Sequence, residues 1–166
     1  MPTTIADYQK QPLTARLERM GRTADELVDA IRGRSDAVLS QRPDGKNWSA
    51  KEVVCHLRDV EREYIARFHL VLDNDEPRLY LEPESNVRWP VHLQYLRNDT
   101  AEAVSAFREL REGMLVLLAG LTPAQLQRAG IHPRRGRLTI DWWVAMLACH
   151  DDDHVDQLKR AVDGRP

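Results

Sequence analysis

The sequence is 166 residues long, 42% hydrophobic and 30% charged, with a net charge of −2. That length and balance suit a folded chain with a core of its own, and exclude disorder and the basic face that nucleic-acid binding needs. No stretch nears the ~20 apolar residues of a membrane span, Met1–Gln11 lacks a secretory signal, and two cysteines make no disulfide framework. The expectation is one domain over residues 1–166, in the cytoplasm, with no nucleic-acid or membrane partner.

Helical periodicity dominates, and alternating strand-like runs are nearly absent. The first apolar stripe is Leu13, Leu17, Met20, Ala24, Leu27 and Ile31, ending near Gly33. Ser49-Ala50-Lys51-Glu52 fits a capping box and opens a second helix with the stripe Val53, Leu57, Val60, Tyr64, Phe68, Val71. It stops before Asp73-Asn74-Asp75-Glu76-Pro77, since proline cannot continue a helix. Residues 77–97 are hard to read. Pro83, Trp89, Pro90 and Tyr95 suggest an ordered crossover. A third helix starts near Asn98 or Asp99 and is predicted to bury Val104, Phe107, Leu110, Met114, Leu117 and Leu121. Thr122-Pro123 caps a short helix, and after a loop rich in Pro, Arg and Gly, Thr139 caps the last long helix, which runs to about Val162.

Gly33-x-Ser35-x-Ala37-x-Leu39 echoes Gly120-x-Thr122-x-Ala124-x-Leu126, each followed by a loop and a capped long helix. Such an echo is also what any helix–turn–helix chemistry produces. If it is a true repeat, two helical hairpins pack into a pseudo-symmetric bundle. The fold class expected is all-α: a four-helix bundle with short extra helices and a long crossover.

On the last helix the inward stripe reads Trp143, Leu147, His150, His154, Leu158, Ala161. Two histidines stand where the pattern asks for leucine, and residues four apart share a face. Asp152 is predicted to point outward, with Asp151 and Asp153 flanking the stripe. A buried imidazole needs a partner. A divalent ion such as zinc, nickel, copper or iron supplies one. Bonds between the rings, to Gln157 or to water are the plainer alternative. His56, on the inward flank of the second helix, shifts the balance toward a metal held by His56, His150 and His154 with open coordination positions. Asp59, one turn on, reads either as an orienting acceptor for His56 or, more simply, as a surface aspartate. His69 faces outward, and His92 lies in the crossover. His132, in the loop entering the last helix, is a candidate for the mouth of the site. Cys55 and Cys149 precede His56 and His150 but point about 100° away, toward packing rather than ligation.

The stretch Asp44-Gly45-Lys46-Asn47-Trp48-Ser49 with its later Cys55-His56-Leu57, the stretch His132-Pro133-Arg134-Arg135-Gly136-Arg137-Leu138-Thr139, and His150-x-x-x-His154-x-x-Gln157 together resemble the DinB-like superfamily over almost the whole chain. The resemblance implies a four-helix bundle, often dimeric, with zinc or nickel on three histidines matching His56, His150 and His154. Many relatives carry a further histidine where this chain has Asp153, so that residue's role does not carry over. The resemblance implies no DNA binding. It implies small-molecule chemistry: transferases or isomerases using low-molecular-weight thiols, or proposed metal-dependent hydrolases.

The reading preferred is a metal-dependent thiol S-transferase acting on small electrophiles. The first alternative is a hydrolase using a metal-bound water. That chemistry wants a nearby general base, and Glu63 lies two turns along the helix from His56. A non-catalytic, dimeric metal-binding module is the other alternative.

Overall fold

The computed structural model describes residues 3–80 and 85–166. A short helix α1 (Ile5–Gln9) precedes α2 (Leu13–Ile31) and α3 (Asp36–Ser40). The long α4 (Ala50–Asp73) leads into the crossover, which holds α5 (Ser85–His92) and a 3-10 turn at Tyr95–Arg97. Then come α6 (Thr100–Ala119), α7 (Pro123–Leu126), the strands β1 (Ala129–His132) and β2 (Gly136–Thr139), and α8 (Ile140–Val162). Pro83 lies outside the described residues. No described helix is long and apolar enough to cross a membrane.

The caps are where the sequence places them. Ser49 accepts from the Glu52 amide while Glu52 reaches back to the Ser49 amide, closing a capping box. Asp99, Thr122 and Thr139 cap α6, α7 and α8 in the same side-chain-to-backbone manner. Asn74 takes over where α4 ends.

The long helices form the bundle, and each packs mainly on the two from the other half: α2 on α6 and α8, α4 on α6 and α8. The echo between Ser35 and Thr122 does mark two equivalent short helices, α3 and α7. The glycines differ, however, because Gly33 has φ +71 whereas Gly120 is αR. The two long helices of one half are diagonal rather than adjacent, so simple helical hairpins are not how the halves pack.

The loop before α8 is in fact a two-stranded antiparallel hairpin, pairing Ala129 with Thr139 and His132 with Gly136. Its turn needs Gly136, at φ +73. The start of the crossover lies against it, with the Leu79 amide donating to the Ile131 carbonyl at 3.0 Å and the Ile131 amide to the Pro77 carbonyl at 2.9 Å. Gly130 permits this approach, since a Cβ there would stand 2.9 Å from the Leu79 side chain. Strands of four residues, each containing a glycine, carry too little alternation to announce themselves.

A polar layer divides the apolar core in two. One core holds Leu27, Val53, Leu57, Phe107 and Leu158, and the other Met20, Phe68, Met114, Trp143 and Leu147. Between them Arg111 of α6 donates to Glu61 of α4 (2.7 and 2.8 Å), to Asp151 of α8 (2.5 and 3.1 Å) and to the Met20 carbonyl of α2 (2.7 Å). Thr23 of α2 donates to Asp151 at 2.7 Å. All four long helices therefore meet at one guanidinium. Leu110 and Leu117, expected inside, are only half-buried, and Arg111 takes the central place on the stripe. Asp151, expected at the flank, is fully buried. Asp152 does not point outward: it accepts from Tyr8 at 2.6 Å and Arg19 at 2.5 Å, tying α1 and α2 to α8.

Candidate metal centre

Three imidazoles converge beside the polar layer, His56 from α4 and His150 and His154 from α8. One ring nitrogen from each lies within 4.8 Å of the others, and the Nε2 atoms of His56 and His150 are 3.4 Å apart. His56 is buried, and the other two are half-buried. The convergence follows from local structure. The Ser49 cap fixes where α4 begins, and the i, i+4 spacing stacks His150 over His154, with ring centroids 4.2 Å apart.

Burial lowers the pKa of His56 well below the ordinary histidine value, with further lowering from His150 and His154. Burial does the same to His150, helped by His154 and the Arg111 charge. His154 is lowered by burial, against the opposing influence of Gln157, Asp151 and Asp153. All three rings are thus neutral near pH 7. The His154 Nδ1 lies 2.7 Å from Gln157 Oε1, which fixes the proton on Nδ1 and leaves Nε2 as a bare lone pair.

Neutral imidazoles that crowd their nitrogens into one place fit a shared cation. Two nitrogens at the usual ~2.0–2.1 Å from a tetrahedral zinc lie about 3.3–3.4 Å apart, matching the His56–His150 separation. The Nδ1 atoms of His56 and His150 are buried without a hydrogen-bond partner among the described residues. Asp59 does not supply one. It is buried rather than on the surface, and its carboxylate accepts from Arg58 (2.9 Å twice) and Arg62 (3.1 Å).

The cluster opens into a cleft of about 550 Å³ lined also by Lys46, Asn47, Trp48 and Gln157. The Trp48 ring lies nearly parallel to His154 (8°) with centroids 6.2 Å apart, and sits 4.8 Å from His56. In the sequence Lys46, Asn47 and Trp48 stand out only as part of the stretch that carries the family resemblance, with no place in the site assigned to them. The available signal was their position just upstream of the cap, which brings the preceding loop over the first turns of α4.

The other candidates lie elsewhere. The His132 ring stacks on Trp143 at 5.9 Å, and its Nδ1 accepts from the Arg134 and Arg135 amides at 3.0 and 3.1 Å. It closes the hairpin turn and does not line the cleft. His69 and His92 are exposed. Cys55 is buried near the Tyr95 carbonyl, and Cys149 contacts the Thr3 carbonyl at 3.4 Å, both in packing positions.

A sequence model of the DinB superfamily matches residues 16–158. The chain belongs to the DinB superfamily. Among relatives, YuaE of Bacillus subtilis is 26% identical over 145 residues, covering 81% of this chain and 89% of its own. A protein of Oceanobacillus iheyensis, for which a metal-dependent hydrolase activity has been proposed, is 21% identical over 88% of this chain and 83% of its own. YfiT of B. subtilis, with the same proposed activity, is 24% identical over 78% of this chain and 72% of its own. The solved structure of YfiT, described as an unusual four-helix bundle topology, superposes with a TM-score of 0.84 at 21% identity, covering 92% of this chain and 86% of that one. The diagonal arrangement of the DinB-superfamily chain is therefore shared with a solved fold.

Proposed function

We propose that His56, His150 and His154 hold one divalent transition metal, zinc or nickel, and that the protein joins a low-molecular-weight thiol to a small electrophile in the adjoining cleft. Bound there, the ion would supply Lewis acidity and a positive charge that lowers the pKa of a thiol or a water. The chain's own part is to keep three rings neutral, to point their nitrogens at one place, and to wall the approach with Trp48.

One observation supports transfer over hydrolysis: no carboxylate lines the cleft, whose described residues are three neutral imidazoles, two amides, an indole and a lysine. Hydrolysis is helped by a side chain that takes a proton from water. A thiol beside the ion ionises more readily than water, its proton passing to solvent, and so depends less on such a side chain. Glu63, considered from the sequence, borders a different cavity beside Arg62 and Trp89.

Hydrolysis is the second reading, favoured by the activity proposed for the O. iheyensis and YfiT relatives. The test is turnover of a panel of small electrophiles and esters by the metal-loaded protein, with and without added thiols. Thiol-dependent turnover that is lost in His56→Ala supports transfer. Thiol-free hydrolysis lost in the same variant establishes the second reading instead. Silence in both assays, with metal still bound, leaves a non-catalytic metal-binding module.

A further inference from the structure

The cleft over the histidines has a charge of its own, opposite to that of the whole chain. The net charge is −2, yet the cleft lining contains one cation, Lys46, and no acid. The acids nearest in sequence are committed elsewhere. Asp44 turns back on its own loop, its Oδ1 accepting from the Lys46 and Asn47 amides at 2.7 Å each and its Oδ2 from the Asn47 side chain at 2.8 Å. Asp36 pairs with Lys51 at 2.6 Å. Asp153 is exposed and does not line the cleft. Among the described residues no carboxylate lies within ion-pair distance of the Lys46 ammonium, although the Asp44 carboxylate is near enough to feel its charge.

Lys46 also rides on a pinned loop. Downstream, Ser49 and the buried Glu52 close the capping box, and upstream Arg42 grips both Glu52 oxygens. The segment from Arg42 to Ser49 is thus tied at both ends to one carboxylate, with Trp48 laid against His154 and Lys46 at the rim. An ammonium with no ion pair of its own, lining the same cleft as an indole, suits a ligand with a negative end and a flat or apolar body.

We propose that Lys46 is a specificity-determining residue, which seats the carboxylate or phosphate of an anionic small-molecule substrate while Trp48 covers the rest. This names the substrate class of the cleft and rests on the reading that the cleft is where substrate binds.

A matched pair of ligands tests it: phenylacetate and its neutral amide, phenylacetamide, titrated calorimetrically into the protein with metal and after chelation. The chelated arm removes any direct attraction of the anion to the metal. Wild type is expected to prefer the acid by up to about fivefold in the chelated arm, the size of an exposed charge pair, and by at least as much with metal present. Lys46→Gln should abolish the preference in the chelated arm, and Lys46→Arg should keep it. Overturning results are a preference that survives Lys46→Gln without metal, a preference that exists only with metal, or no binding of either ligand to the wild type. If the preference tracks Lys46 but no turnover is found, the inference stands and the catalytic reading falls. If turnover is lost on chelation but Lys46→Gln treats acid and amide as wild type does, the inference alone falls.

Discussion

Two polar clusters lie side by side in this bundle, on consecutive residues of α8, and they are satisfied in opposite ways. Around Asp151 every polar group has a partner: the carboxyl groups of Glu61 and Asp151 share the one Arg111 guanidinium, and Thr23 and the Met20 carbonyl take up further bonds. Around His150 the rings are neutral, and two Nδ1 atoms have no partner among the described residues. The first cluster is closed and self-sufficient. The second faces a cleft, and part of its hydrogen-bonding capacity is left unused by the described residues. A bundle that keeps both teaches that core polarity serves two ends, fixing which helices meet and, in the function proposed here, holding a ligand.

The most forceful way to break the comparison is to open the closed cluster. Burial opposes the Arg111 charge, but Asp151 and Glu61 outweigh it and raise its pKa, whereas burial raises that of Glu61 despite the guanidinium. Arg111→Met leaves two carboxyl groups in a closed interior, and losing one partner of such a pair costs about 3–5 kcal/mol. Replacing Arg111, Glu61, Asp151 and Thr23 together by Met, Leu, Leu and Val should recover most of that loss, because the desolvation cost disappears with the charges. Urea midpoints of the two variants measure the difference. A single variant within about 1 kcal/mol of wild type would show that the layer is not the closed network its distances describe.

The open cluster should respond to metal instead. At ~100 times its dissociation constant, a metal stabilises the fold by about 2.7 kcal/mol. Chelation should remove that stabilisation from the wild type and do nothing to His150→Ala. Acid acts in the same direction. The unfolded histidines titrate near ~6.5, and burial holds the folded pKa of His56 and His150 below that. Between the two values the unfolded chain binds more protons, so stability is full above about pH 6.5 and erodes as pH falls below it. Metal affinity should weaken over the same range, since the ligands must be neutral. Melting temperatures from pH 8 to 5, with and without chelator, check both. An equal chelator response in wild type and His150→Ala would remove the site.

Much of the second cluster was legible in the sequence, and almost none of the first. The histidines announce themselves because they occupy leucine positions on a stripe whose phase is set by a nearby cap. Arg111 occupies such a position too, between Phe107 and Met114, but a periodicity reading assigns arginine to water and chooses Leu110 and Leu117 instead. Its partners Glu61 and Asp151 stand on other helices, so no local spacing reveals them. The same holds for Asp152, whose partners Tyr8 and Arg19 come from the far end of the chain. Asp59 was misread because an acid on a helix is usually solvated, while here two neighbouring arginines fold over it. The diagonal packing of α2 and α4 is equally invisible, since both neighbour choices bury the same stripes.

The finest test concerns the one ring of the open cluster that does have an outer partner. Gln157 sits three residues after His154 on the same face, and its carbonyl holds the imidazole proton on Nδ1 at 2.7 Å. Losing such an outer contact typically costs 10- to 100-fold in metal affinity. Gln157→Leu should fall in that range by competition with a chromogenic chelator, while helical content stays unchanged. Gln157→Glu keeps an acceptor at the same place and should stay within a few-fold of wild type. If Gln157→Leu binds metal as tightly as wild type, the ring is held by its stack on Trp48 alone. The three histidines would then be alike in lacking an outer hydrogen bond that matters, positioned by their helices and by ring packing.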